Sequence, residues 1–82
     1  MKARVFVSYK STVLDPQGQA VCSALHGLGY PGIADVRQGK LFEILLAPGV
    51  TPEQAHRDIE TIAHEVLSNP VIEEYSVEIV EH

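Results

Sequence analysis

The side chains best suited to metal chemistry in this sequence lie on the second of two predicted helices. His56, Glu60 and His64 follow one another at i+4 spacing and share one helical face. The two imidazoles are about 12 Å apart along such a helix, too far to bind one ion. The pattern therefore predicts a solvated face and no metal site.

Thiol and imidazole chemistry on the first predicted helix is limited to Cys22 and His26. A single cysteine forms no internal disulfide, and an apolar helical position favours a small buried side chain over a reactive thiol. No nucleophile is placed beside His26 by the sequence, so a surface or interface role is favoured over a catalytic base. No catalytic residue is predicted.

A charged segment contains Asp35, Arg37 and Lys40, with Gly39 allowing a close backbone turn. One interpretation is the polar end of a hairpin, whose charges prevent unwanted edge pairing. The other is a corner that docks an anion or a protein partner, since arginine presents a planar fork of donors. No glycine-rich phosphate loop is present, and the residues alone leave both interpretations open.

Length and charge narrow the possible functions. A chain of 82 residues with no Trp forms a small core, so self-association or a partner is expected. The net charge of −5 has the wrong sign for nucleic-acid binding. No apolar run has the length of a signal peptide or a membrane span, so a cytoplasmic protein is expected.

The first half of the chain predicts a strand and a helix. Residues 3–10 alternate between apolar and polar side chains, which is typical of a strand. Asp15 and Pro16 form a strong helix start, and Gly29 is the expected stop. The helix is expected to face a sheet through its apolar stripe, which comprises Val21, Leu25 and Leu28.

The second half predicts a hairpin, a helix and a last strand. Residues 33–38 and 40–47 flank Gly39 as two strands, the second of them buried on both faces. A helix runs from Thr51 and Pro52 to the Asn-Pro pair at 69–70, and a half-buried strand covers 71–80. The residues that the helix is expected to bury are Ala55, Ile59, Ile62 and Val66.

This order predicts a single domain over residues 1–82 of the α+β class. It is a two-layer βαββαβ ferredoxin-like sandwich, with a four-stranded antiparallel sheet and both helices on one face. Phe6 lies on the otherwise polar side of its strand. We expect the sheet face that carries Phe6 to pack in a homo-oligomer.

The fold is compatible with several functions. Metal carriers of this fold require a C-x-x-C pair and RNA-binding versions require aromatic motifs on the central strands, and neither is present. Two classes remain. One is an interaction or assembly subunit, and the other is an ACT-like regulatory module that senses a small molecule.

Residues 14–40 also carry a family pattern, LDPQG…AV..AL..LGY….DVR.GK. In order and spacing it resembles the PurS family, the small subunits of bacterial and archaeal phosphoribosylformylglycinamidine (FGAM) synthase. The resemblance extends over essentially the whole chain. It implies a PurS-like fold.

The resemblance implies a non-catalytic subunit of a ligase in purine biosynthesis that uses ATP, Mg and glutamine, with no cofactor bound by this chain. The implied partners are a large synthetase subunit (PurL), a glutaminase subunit (PurQ) and further copies of the chain, in a dimer or tetramer. The subunit would bridge PurL and PurQ and assist ammonia transfer. The candidate partner-facing residues are Asp15, Gln17, Gly18, Asp35, Arg37, Gly39 and Lys40.

Overall fold

The computed structural model describes residues 1–80 as three strands, two α-helices and one short π-helix. In chain order they are β1 (Lys2–Tyr9), α1 (Pro16–Gly27), β2 (Gly39–Leu45), α2 (Pro52–Ile62), the π-helix (Ala63–Leu67) and β3 (Glu73–Val80).

The sheet is antiparallel throughout, with strand order β2-β1-β3. Val5 of β1 lies opposite Phe42 of β2 and Val77 of β3, so these three side chains share the inner face of the sheet. Alternate residues Ala3, Val5 and Val7 of β1 are fully buried there. The prediction of a first strand with one apolar face is confirmed.

The inner face of the sheet packs against the second helix. Ile59 and Ala63 complete the buried cluster with β1. α2 begins at Thr51, whose hydroxyl accepts a hydrogen bond from the Gln54 backbone N–H at 3.2 Å, and Pro52 occupies the first turn. The predicted start of this helix is confirmed, as is the burial of Ala55 and Ile59.

The prediction that the second helix buries Val66 is wrong, because this residue is 72% exposed. The chain changes from α-helix to π-helix at Ala63, and the wider turn rotates later residues away from the stripe begun by Ile59. The segment ends where the Ser68 hydroxyl donates to the Ala63 carbonyl at 2.7 Å. The following strand is half-buried, as predicted.

The predicted fourth strand is wrong. Residues 33–38 form no strand, and the sheet described over residues 1–80 has three strands. The segment runs beside α1 instead, where the Ile33 carbonyl accepts from His26 and the Gln38 N–H donates to Asp15. β2 is therefore an edge strand, and Leu41 and Leu45 are exposed where burial on both faces was expected.

The first helix does not pack on the sheet, so the expected layer of two helices is also wrong. Val21 is 42% exposed and Leu28 is 74% exposed, although both were expected to face the sheet. The radius of gyration is 16.3 Å, against about 12 Å for a compact chain of this length. α1 therefore extends a molecule that measures 51 × 28 × 14 Å.

The end of α1 matches the sequence prediction. Gly29 has φ 96°, the left-handed conformation that favours glycine after a helix. The Tyr30 N–H then donates to the Leu25 carbonyl at 3.0 Å. Within residues 1–80, no helix has the length and apolar character needed to cross a membrane.

Candidate partner interface

Asp15 joins the start of α1 to the residue that precedes β2. Its Oδ1 accepts a hydrogen bond from the Gly18 N–H at 2.9 Å, and its Oδ2 accepts one from the Gln38 N–H at 2.7 Å. The side chain is only 2% exposed. The donors from Gln38 and Gly18 hold the pKa of the Asp15 carboxyl below its ordinary value, because they stabilise the ionised form.

Two glycines allow the backbone to approach closely at the same place. A Cβ on Gly18 would collide with the Val36 carbonyl oxygen. A Cβ on Gly39 would lie 2.8 Å from the Val7 carbonyl oxygen. Neither glycine has a positive φ, so backbone conformation does not require them. They are needed because a larger residue would not fit.

Arg37 binds the loop that follows β1. Its Nη2 donates to the carbonyl oxygens of Lys10 and Val13, at 2.9 and 3.0 Å. The Lys10 N–H in turn donates to the Ile72 carbonyl at 2.9 Å, just before β3. The guanidinium thus stabilises a loop, and it remains exposed enough to reach a partner.

Lys40 lies on the inner face of the sheet, opposite Val7 of β1. Its Nζ is 3.9 Å from a carboxylate oxygen of Glu73, and the Lys40 side chain is exposed. Beside this pair is a small cleft of about 70 Å³. The polar side chains lining it are Ser8, Tyr9, Gln17, Gln38, Lys40 and Glu73.

We call the set of Asp15, Gln17, Gly18, Arg37, Gly39 and Lys40 the α1–β2 corner. Six of the seven predicted partner-facing residues therefore meet at one place. Asp15 and Gly18 are buried, so they position the corner, whereas Gln17, Arg37 and Lys40 are exposed on it. Whether the corner binds a partner stays a prediction.

Asp35 and Phe6 lie outside the corner. Asp35 lines an open cleft of about 550 Å³ along α1, together with Cys22 and His26. The Cys22 sulfur is 3.8 Å from His26 Nε2, which donates to the Ile33 carbonyl at 2.7 Å. Phe6 is 48% exposed on the outer sheet face, as its position in the alternating pattern predicted.

The histidines of the second helix do not converge on a metal. Among residues 1–80, no group of three or more His, Cys, Asp or Glu side chains has metal-binding geometry. The ring of His64 instead meets Tyr75 edge-on, at 6.2 Å between centroids. Desolvation, and then a 3.2 Å hydrogen bond to Glu60, raise the pKa of Tyr75.

Sequence reasoning missed two features of this region. Glu73 completes the corner's cleft, but nothing local in the sequence links it to Lys40, because register sets the contact across β1. The second feature is the uncovered side of α1. A signal for it was present, since residues 16–34 contain no Asp, Glu, Lys or Arg.

Together, the fold and the corner define a small α+β domain with a three-stranded antiparallel sheet, two helices and a glycine-dependent junction between them. The family model for PurS, phosphoribosylformylglycinamidine (FGAM) synthase, matches residues 2–81. The chain belongs to the PurS family.

Individual relatives match this chain over nearly their whole length. The chain is similar to the Bacillus subtilis phosphoribosylformylglycinamidine synthase subunit PurS, with 43% identity over 98% of this chain and 93% of the relative. A B. subtilis PurS crystal structure superposes with a TM-score of 0.85 at 39% identity, covering 98% of both chains.

The fold is also found in an assembled complex. A chain in the structure of PurLQS from Thermotoga maritima superposes with a TM-score of 0.73 at 28% identity. The match covers 94% of this chain and 93% of that one.

Proposed function

We propose that this chain is the small, non-catalytic subunit of an FGAM synthase complex in purine biosynthesis. The observation that carries the proposal is the near full-length match to PurS subunits, including a chain of the PurLQS structure from T. maritima. The proposed partners are a synthetase subunit (PurL) and a glutaminase subunit (PurQ). Family membership favours this role over an ACT-like sensing module.

In this role the chain bridges the two larger subunits and assists the transfer of ammonia between them. ATP, Mg and glutamine are used by the complex, and this chain binds none of them. The exposed members of the corner, Gln17, Arg37 and Lys40, together with Asp35, form the proposed contact surface. The exposed donors of Arg37 and Lys40 support docking on carboxylate groups of a larger subunit.

The proposal also includes a homo-oligomer. The outer sheet face presents exposed Phe6 beside exposed Leu41, its neighbour across the strand pair. Around them, Lys2 and Glu43 are paired at 3.4 Å, so part of the charge on this face is neutralised within the protomer. An apolar centre with internally paired charges supports packing of this face against another copy.

Reconstitution with purified PurL and PurQ tests the proposed role. We expect glutamine-dependent formation of the amidine to require this chain, whereas added ammonium salt should bypass the requirement. The bypass follows because external ammonia needs no transfer from the glutaminase. Equal glutamine-dependent activity with and without the chain would rule out the role, and saturable binding of a small ligand by the isolated chain would instead favour the sensing module.

A further inference from the structure

Two side chains of the kind that bind metals meet in the cleft beside α1. Cys22 and His26 are four residues apart on the helix, so they project from the same face. The Cys22 sulfur lies 3.8 Å from His26 Nε2. Cys22 is half-buried and His26 is exposed. An ion that enters the cleft from solvent therefore meets a thiol and an imidazole together.

A backbone oxygen is the third donor at this place. The Ile33 carbonyl, in the segment that returns along α1, accepts the 2.7 Å hydrogen bond from His26 Nε2. The same oxygen lies 3.9 Å from the Cys22 sulfur. Two side chains and a carbonyl thus converge here, whereas residues 1–80 contain no cluster of three or more His, Cys, Asp or Glu side chains with metal-binding geometry.

The triangle formed by this sulfur, nitrogen and oxygen has the size of three ligands around one small metal ion. Its corners are equidistant, at about 2.1 Å, from one point, and zinc bonds to nitrogen, oxygen and sulfur measure about 2.0–2.3 Å. An ion slightly above the plane of the triangle lies within this range of all three atoms. That position leaves one side of the ion for the fourth ligand of a tetrahedron.

We propose that Cys22 Sγ, His26 Nε2 and the Ile33 carbonyl bind one zinc ion, with water as the fourth ligand. Sulfur and imidazole donors select zinc over magnesium and calcium, which prefer oxygen. Asp35 lines the same cleft of about 550 Å³, where a carboxylate suits the orientation of that water. With two side-chain ligands instead of four, the site suits an exchangeable ion and not a permanent structural one.

Both side chains change their protonation when the ion binds. The Cys22 thiol releases its proton to solvent, because the thiolate is the ligand. The neutral His26 ring moves its proton from Nε2 to Nδ1 and turns, so that the Nε2 lone pair points at the ion. The hydrogen bond to the Ile33 carbonyl is thereby replaced by two bonds to the metal, one from each partner.

Zinc bound here attaches α1 to the segment that leads into the α1–β2 corner. Ile33 precedes Asp35 and Arg37 in that segment, and Arg37 stabilises the loop after β1. We expect Zn²⁺ to slow amide hydrogen exchange in residues 33–36, because opening of the segment then requires release of the ion. The site goes beyond the proposed subunit role and does not depend on it.

Titration of the full chain with Zn²⁺ tests the donor set. In a reductant that contains no thiol, we expect calorimetry to show one ion per chain. Cys22→Ser and His26→Gln should each weaken binding by at least about 10-fold, since loss of a group that merely orients a ligand already costs about 10–100-fold. His64→Gln is the matched control, because that histidine lies against Tyr75 and away from the thiol, and it should bind as the native chain does.

Co²⁺ in place of Zn²⁺ shows which atoms are bound. We expect a sulfur-to-cobalt charge-transfer band with the native chain, together with the intense visible bands of four-coordinate cobalt. Cys22→Ser should lose the charge-transfer band. His64→Gln should retain both sets of bands.

Alkylation of Cys22 provides a measurement on the native chain, so it does not depend on the folding of a variant. We expect Zn²⁺ to slow the reaction of this thiol with iodoacetamide by at least about 10-fold, because the metal-bound sulfur is no longer a free nucleophile. Mg²⁺ at the same concentration should have no effect. A chelator should restore the original rate.

Four results would overturn the site. Equal Zn²⁺ binding by Cys22→Ser and the native chain means that other surface groups bind the ion. Weaker binding in Cys22→Ser but not in His26→Gln means that the thiol acts without the imidazole. One ion per two chains means that thiols of different copies share it. An alkylation rate that Zn²⁺ does not change means that Cys22 is not a ligand.

Discussion

The carboxylate of Asp15 accepts a 2.7 Å hydrogen bond from the backbone N–H of Gln38. These residues lie 23 positions apart, and the contact ties the beginning of α1 to the chain just before β2. Its other oxygen caps α1 through Gly18. One buried side chain thus fixes both the start of the helix and the path of the segment that returns from it.

The first prediction concerns the pH dependence of this contact. The folded-state pKa of Asp15 is lowered, whereas an unfolded aspartate titrates near about 3.9. The ionised carboxylate therefore stabilises the fold above about pH 4, and this contribution is lost as the pH falls through the lower folded-state pKa. We expect Asp15→Asn to lower the melting temperature at pH 7, with a smaller difference from the native chain in strong acid.

Asp58→Asn is the matched control for that experiment. Asp58 is exposed on α2 and accepts a hydrogen bond from the Gln54 side chain. We expect this variant to follow the melting profile of the native chain closely. A pH-independent difference for Asp15→Asn would show that geometry, and not the charge of Asp15, stabilises the junction.

The second prediction concerns the space beside Gly18. Gly18→Ala forces a methyl group against the Val36 carbonyl and should cost about 1–3 kcal/mol of the free energy of unfolding. Gly27→Ala is the matched control on the same helix, since a Cβ there meets nothing within 4 Å. Replacing a helical glycine by alanine where space allows stabilises by about 0.5–1 kcal/mol. Denaturant titration of both variants should give opposite signs.

Local patterns predicted most elements of the fold. The alternation in β1, the caps at Asp15 and Thr51 and the half-buried β3 each depend on neighbouring residues. The hairpin at Gly39 was wrong because its first strand is held elsewhere by contacts that periodicity does not reveal. The close approach of Val36 to Gly18 joins residues far apart in the sequence, and so does the hydrogen bond from the Gln38 N–H to the second carboxylate oxygen of Asp15.

The sequence predicted where the candidate site lies, but not which of its side chains are buried or what they bind. The family pattern pointed to residues 14–40, and most of its polar residues do converge at the corner. Local sequence did not indicate that Asp15 is buried there, or that Arg37 donates hydrogen bonds to the carbonyls of Lys10 and Val13. Helical spacing predicted that the stripe of Val21, Leu25 and Leu28 faces the sheet, and this was wrong because spacing identifies an apolar side of a helix but not what covers it.

The third prediction separates positioning from partner contact at the corner. Lys40→Ala removes an exposed ammonium whose ion pair with Glu73 spans 3.9 Å, and such pairs contribute about 0–1 kcal/mol. We expect little change in thermal stability, together with weaker binding to PurL or PurQ and lower glutamine-dependent activity. Undiminished binding and activity would remove Lys40 from the proposed interface.

Arg37→Ala should behave differently, and this is the fourth prediction. Its guanidinium stabilises the loop through the carbonyls of Lys10 and Val13, so the variant should show faster amide hydrogen exchange in residues 10–14. Lys40→Ala should leave exchange in that loop unchanged. Loss of partner binding in both variants, with faster exchange only in Arg37→Ala, would indicate that Arg37 both holds the loop and contacts a partner.

The fifth prediction concerns the outer face of the sheet. Phe6 is half-exposed between Leu41 and Ser76, so Phe6→Ser removes apolar area that the protomer leaves largely in water. We expect a small change in protomer stability, together with weaker self-association measured by sedimentation, because the proposed oligomer packs through this face. Ser76→Ala, on the same face, is the matched control and should leave self-association unchanged. Equal self-association of Phe6→Ser and the native chain would remove Phe6 from the proposed oligomer interface.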